Sequence, residues 1–154
     1  MRKNIAKRQG SAALAIFIVG AVLLLALAAG GQDAAKKEIF KARLSPVPID
    51  LSMMARVAGS GSLTATLSGK QLTITGTFEG LRSPATTAQI HRSPKGIPGP
   101  AILDLTVTKS EKGAVSGTLE LTQDQIADLR AGRLYVQIQS ERAPDGNLWG
   151  WMLQ

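Results

Sequence analysis

His91 is the only histidine of the chain, and it stands in TTAQIHRSPKGIPGP, Thr86 to Pro100, beside a Gly/Pro-rich loop. An imidazole in such a place invites a metal-site reading. Zinc and copper, however, want three or four convergent nitrogen, sulfur or oxygen donors. The chain has no cysteine, and Asp104 is the first acid after His91. The residues therefore predict no metal at His91, which is expected instead to be a structural hydrogen-bonding residue near the Lys95–Pro100 loop. That loop lacks the G-x-G-x-x-G spacing and the strand-to-helix context of a phosphate cradle. No G-x-S-x-G nucleophile motif occurs, and nothing near His91 in sequence would complete a Ser-His-Asp arrangement. Asp124 and Asp128 lie four apart on a short helical segment and read as a solvated acidic face near a helix N-terminus. The expectation is a protein with neither catalytic residues nor a cofactor, and so not an enzyme.

Trp149 and Trp151 carry the sharper signal. A strand places residues two apart on one face, so both tryptophans share a side with Leu153, and Leu148 and Met152 take the other. Two readings stand. The tryptophan face is the core face, where aromatic side chains usually go, or it is an exposed aromatic patch of the kind that marks a protein or membrane contact.

The elements that must position these residues are mostly strands. Period-2 alternation runs through SLTATLS and QLTITGTFEGL, with Leu63, Ala65, Leu67, Leu72, Ile74 and Phe78 on one side. Ser68-Gly69-Lys70 between them reads as a hairpin turn. Ala88 and Ile90 alternate with Gln89 and His91. Leu103, Leu105 and Val107 form the next apolar face, then Val115, Leu119 and Leu121 after a turn at Glu111-Lys112-Gly113. Leu134, Val136 and Ile138 alternate with Tyr135, Gln137 and Gln139. Ala143-Pro144-Asp145-Gly146-Asn147 is expected to turn the chain into the last strand, LWGWML. One helix interrupts the strands: Thr122-Gln123-Asp124-Gln125 is a capping box and Gly132 a C′ residue. Seven or so short strands suit a two-sheet, all-β sandwich. A domain of this size buries about two-thirds of its unfolded surface and can stand without disulfides.

The N-terminus is different in kind. Arg2, Lys3, Lys7 and Arg8 precede a charge-free run, AALAIFIVGAVLLLALAA, from Ala12 to Ala29, which Gly30-Gly31 extend. Roughly 20 apolar residues span a bilayer core of about 30 Å. The positive-inside rule then places the N-terminus in the cytoplasm and all that follows Gly31 outside, as a single-pass membrane protein of the cell envelope. The alternative is a signal peptide cut near Ala26-Leu27-Ala28, giving a secreted product. The run exceeds the usual h-region of about 7–15 residues, which favours the anchor. The expected organisation is 1–31 basic region and transmembrane helix, 32–39 linker, and 40–154 β-sandwich. The formal charge of +7 owes much to the four leading cations. Without them 14 basic residues face 11 acidic ones, mostly scattered singly. That is not the clustered stripe of a nucleic-acid-binding surface.

The blocks FKARLSPVP, TAQIHRSPKGIPGPAILDL, GTLELTQDQIADLRAGRLYVQIQS and APDGNLWGWML, in that order from about Phe40 to Leu153, resemble the CHRD domain, a module found widely in bacterial envelope proteins. The resemblance implies an immunoglobulin-like or superoxide-dismutase-like antiparallel β-sandwich without enzymatic activity. The family pattern has His-x-His where this chain has Gln89-Ile90-His91, and histidine where it has Gln139. Its final Gly-Glu-Leu-Arg-Gly corresponds to Gly146-Asn147-Leu148-Trp149-Gly150 here. If Ile90, Ile138 and Leu148 face the core, the altered positions all lie on faces turned away from it. Gln89, His91, Tyr135, Gln139, Trp149 and Trp151 are accordingly the candidate interaction surface. Three functions follow: an interaction or accessory subunit that docks on an envelope protein, a metal-handling or redox domain on a superoxide-dismutase-like scaffold, or a small-ligand or glycan binder stacking on Trp149 and Trp151.

Overall fold

In the computed structural model, which describes residues 36–46 and 50–154, the alternating segments become eight strands. They are β1 (Lys37–Leu44), β2 (Ser60–Ser68), β3 (Gln71–Glu79), β4 (Ala85–Arg92), β5 (Ala101–Val107), β6 (Gly113–Glu120), β7 (Leu134–Ser140) and β8 (Ala143–Trp151). One helix, α1 (Gln123–Arg130), lies between β6 and β7. All neighbouring strands pair antiparallel, in the order β1-β2-β3-β6-β5-β4-β7-β8.

The sheet folds over on itself at β5. The start of β5 pairs with β4 (Gln89↔Asp104, Ile90↔Leu103), and its end pairs with β6 (Val107↔Val115). Two layers result, and their inner faces make one core. Phe40, Leu63, Leu67, Ile74 and Phe78 from one layer meet Ile90, Val136, Ile138, Leu148 and Met152 from the other. The edge strands also meet: Lys41 bridges Leu153 and Ser45 bridges Trp149. The result is an antiparallel β-sandwich with one short helix.

Three expectations change. β1 begins at Lys37, so residues 37–39, expected in the linker, belong to the sheet, where Lys37 pairs with Ser68. The chain reverses at Glu141-Arg142 rather than over Ala143–Asn147, which form the first half of β8. Ser140 pairs with Ala143 across a two-residue connection, and the register shifts between Ile138 and Ser140. A two-residue hairpin loop is the commonest kind, and turn-forming residues are tolerated beyond it where a bulge breaks the ladder. The third concerns Asp128, expected on a solvated face. It is only 3% exposed and is held between Arg92 and Arg133, with Arg133 Nε 3.1 Å from Oδ1.

The helix itself follows its signals. Thr122 Oγ1 accepts from the Gln125 amide at 3.2 Å, and Gln125 Oε1 accepts from the Thr122 amide at 2.8 Å. Gly132 ends it at a φ of 66°. Ile126 and Leu129 enter the core. The expected membrane span, residues 12–31, lies outside the described residues. Among those described, no helix is long and apolar enough to cross a membrane.

Candidate functional site

Strand alternation puts Thr87, Gln89 and His91 of β4, Tyr135, Gln137 and Gln139 of β7, and Trp149 and Trp151 of β8 on the face of the second layer opposite the core. Register assembles them in rows. Thr87 stands beside Gln139; Gln89 beside Gln137 and then Trp149; His91 beside Tyr135 and then Trp151. All six residues expected to form one surface are thereby brought together, and β5 adds Asp104 opposite Gln89.

The surface is not open. Tyr135 is fully buried, Trp149 is 3% and His91 7% exposed. Gln89, Gln139 and Trp151 are half-buried. The reading of Trp149 as part of an exposed patch is therefore corrected. It lies on the outer face, as alternation requires, but that face is covered. Four aromatic rings cover one another, with Tyr135 in the middle. Its ring centre lies 5.0 Å from His91, 5.6 Å from Trp149 and 4.6 Å from Trp151. These are separations at which rings attract beyond simple burial.

The Lys95–Pro100 loop closes over the other side of the stack. His91 Nδ1 lies 2.8 Å from the Gly99 carbonyl. Tyr135 Oη accepts from the Gly99 amide at 3.0 Å and is placed to donate to its carbonyl at 3.3 Å. A Cβ on Gly99 would overlap the Arg92 carbonyl and lie 2.7 Å from Ser93 Cβ, so only glycine lets the loop come this close. A carbonyl can only accept, so His91 Nδ1 carries the proton and Nε2 bears the lone pair in the neutral ring. Nε2 is buried without a protein partner. Burial pushes the Tyr135 phenol above its ordinary pKa, with the Gly99 hydrogen bond pulling the other way.

The remaining polar groups of the face also bind one another. Gln89 Nε2 donates to Asp104 Oδ1 at 2.8 Å, Thr87 donates to Gln139, and Gln137 Nε2 donates to the Asp145 carbonyl at 3.0 Å. Among the described residues no group of three or more His, Cys, Asp or Glu could hold a metal ion. Sequence reasoning missed Asp104 and Gln137 as members of this layer. Their partners come from other strands, and only the register reveals them.

One opening adjoins the layer. Lys41 and Leu153 exchange backbone hydrogen bonds of 2.7 and 3.0 Å, and Ser45 and Trp149 exchange bonds of 2.9 and 3.1 Å. The residues between them, Arg43 and Trp151, form no bridge. A cleft of about 250 Å³ sits there, lined by Arg43, Ser45, Lys95, Trp149, Trp151 and Leu153.

No curated protein and no solved structure matches this chain. The model of the CHRD domain family matches residues 40–151, which runs from within β1 to the end of β8 and takes in the aromatic layer and the loop that closes it, and the chain belongs to the CHRD domain family.

Proposed function

We propose that this protein is a non-catalytic interaction module, tethered to the membrane through residues 12–31, which serves as an accessory subunit to another protein of the cell envelope. The observation that carries the reading is the state of the outer face. Most of its hydrogen-bonding groups are turned onto one another and onto the Gly99 loop, and among the described residues a seam between β1 and β8 opens beside the tryptophans. That suits recognition better than chemistry, which needs groups converging on a free point. The contact is centred on Trp151 and Leu153, the latter 38% exposed, with Arg43 and Lys95 at the rim. An aromatic anchor with basic neighbours is the composition enriched in binding hot spots.

Of the two sandwich types the family resemblance implies, the strand order favours the superoxide-dismutase-like one. A constant-type immunoglobulin domain divides seven strands into two separate sheets, whereas eight strands here run in one order whose edges meet.

A photo-crosslinking residue at position 153, in the full chain in its native membranes, tests the contact. A discrete adduct that a Trp151→Ala background weakens is expected, and absence of any adduct would remove this surface. Intact-mass analysis of the same material tests the tether. The N-terminal residues should still be attached, and a terminus near Ala29 would show a cleaved leader instead.

A further inference from the structure

We infer that the β1/β8 cleft receives an acidic side chain, an aspartate or glutamate carboxylate, presented by the partner protein; the inference deepens the proposed function and rests on it. Three features of the cleft point the same way. Its charged lining is wholly basic: Arg43 comes from β1 and Lys95 from the loop that His91 and Tyr135 pin. Both are exposed, and neither forms an ion pair among the described residues.

Trp149 and Trp151 line the floor. Trp151 Nε1 is buried with no partner. The bridges at Lys41/Leu153 and Ser45/Trp149 share one register, so Arg43 and Trp151 should pair between them, yet the ladder is interrupted there. The Arg43 carbonyl instead lies against Gly150, 2.7 Å from where a Cβ on that residue would stand. A carboxylate, accepting from the Arg43 guanidinium and the Lys95 ammonium together, matches this rim.

Size decides between kinds of ligand. At about 250 Å³ the cleft falls below the roughly 300–1,000 Å³ of ordinary small-molecule sites. It takes one side chain and leaves a saccharide chain outside. Two larger hollows, of about 590 and 640 Å³, lie over Ser62 and Thr77 and carry no tryptophan.

The test uses the full chain in detergent micelles, isotope-labelled, with the Trp151 indole N–H signal as readout. The probe is a blocked peptide alternating glycine, leucine and glutamate, and its control is the same peptide with glutamine. The glutamate peptide should shift the Trp151 signal saturably and the control should not. The double variant Arg43→Gln/Lys95→Gln, shown to be folded by circular dichroism, should bind about tenfold more weakly. Equal response to the glutamine peptide, or unaltered binding by the double variant, would overturn the inference. Tighter binding of tetragalacturonate than of the glutamate peptide would overturn it too, in favour of an acidic glycan. A crosslinked partner at position 153 together with a silent peptide titration would leave the interaction module standing and remove only the carboxylate.

Discussion

An imidazole whose Nδ1 proton is committed to the Gly99 carbonyl and whose face lies on Tyr135 holds a loop in place. His91→Ala removes that hydrogen bond and one ring of the stack, while Gly99 keeps its contacts to Tyr135. A loss of about 2 kcal/mol is expected, from the hydrogen bond and the cavity together, measured by urea unfolding. The same preparations of wild type should contain no stoichiometric zinc or copper by elemental analysis; one metal per chain, lost in the variant, would reverse the assignment. Trp149→Ala should cost more, about 3–5 kcal/mol, as for other buried large aromatics, whereas Trp151→Ala should change stability less and binding more. A thermal shift for Trp149→Ala no greater than for Trp151→Ala would contradict its burial. The role of His91 was legible because the loop that it binds follows directly in sequence. The burial of Trp149 was not, because alternation tells which face a residue takes and is silent on what covers that face.

At the scale of elements, β8 is the strand most altered from expectation, and Gly146 shows why. Its φ of 128° is in the region that L side chains rarely adopt, and a Cβ there would overlap Trp149 Nε1 and lie 2.8 Å from Gln137 Nε2. The Pro-Asp-Gly composition that suggests a turn is used inside a strand, where glycine admits the indole of Trp149. Gly146→Ala should therefore destabilise by about 2 kcal/mol or more, through backbone strain and overpacking together. Its indole fluorescence should also differ from wild type. An unchanged unfolding midpoint would mean that β8 does not pack in this way. The helix reads differently. Its capping box and its Gly132 stop were legible because they are local, satisfied within four residues. Asp128 was not, since its partners Arg92 and Arg133 lie on β4 and in the loop before β7. An i, i+4 pair of acids says nothing of which one meets the sheet.

At the scale of the whole molecule, what had to be discovered was closure: that the first strand returns to the last. The apolar faces predicted two layers, but period-2 patterns do not say which strands are neighbours, and the order β3-β6-β5-β4-β7 depends on crossovers invisible to periodicity. Beside the seam, Glu38 of β1 ties three parts of the chain. Arg130 of α1 donates to its two oxygens at 3.0 and 2.6 Å, and the Gln154 side chain approaches Oε2 at 3.4 Å. The Arg130 hydrogen bond holds the Glu38 carboxyl below its ordinary pKa of 4.5, against the opposing effect of burial. A folded-state pKa below the unfolded value means that the unfolded chain binds the proton more readily. The contribution of this clamp is thus fully present above about pH 4.5 and is lost as pH falls through the lower, folded value. Its size is modest, because the Arg130 side chain is 53% exposed and such pairs are screened by solvent. Glu38→Gln should lower the urea midpoint slightly at pH 7, and the gap between variant and wild type should narrow as pH falls through the lowered folded-state pKa and close below it, where both carry a neutral group at position 38. Raising salt at pH 7 should narrow the gap as well. A gap that stayed unchanged as the pH was lowered to full protonation of the carboxyl, or as salt was raised, would show that Glu38 acts through packing rather than charge, and the tie between first strand, helix and C-terminus would then not be an electrostatic one.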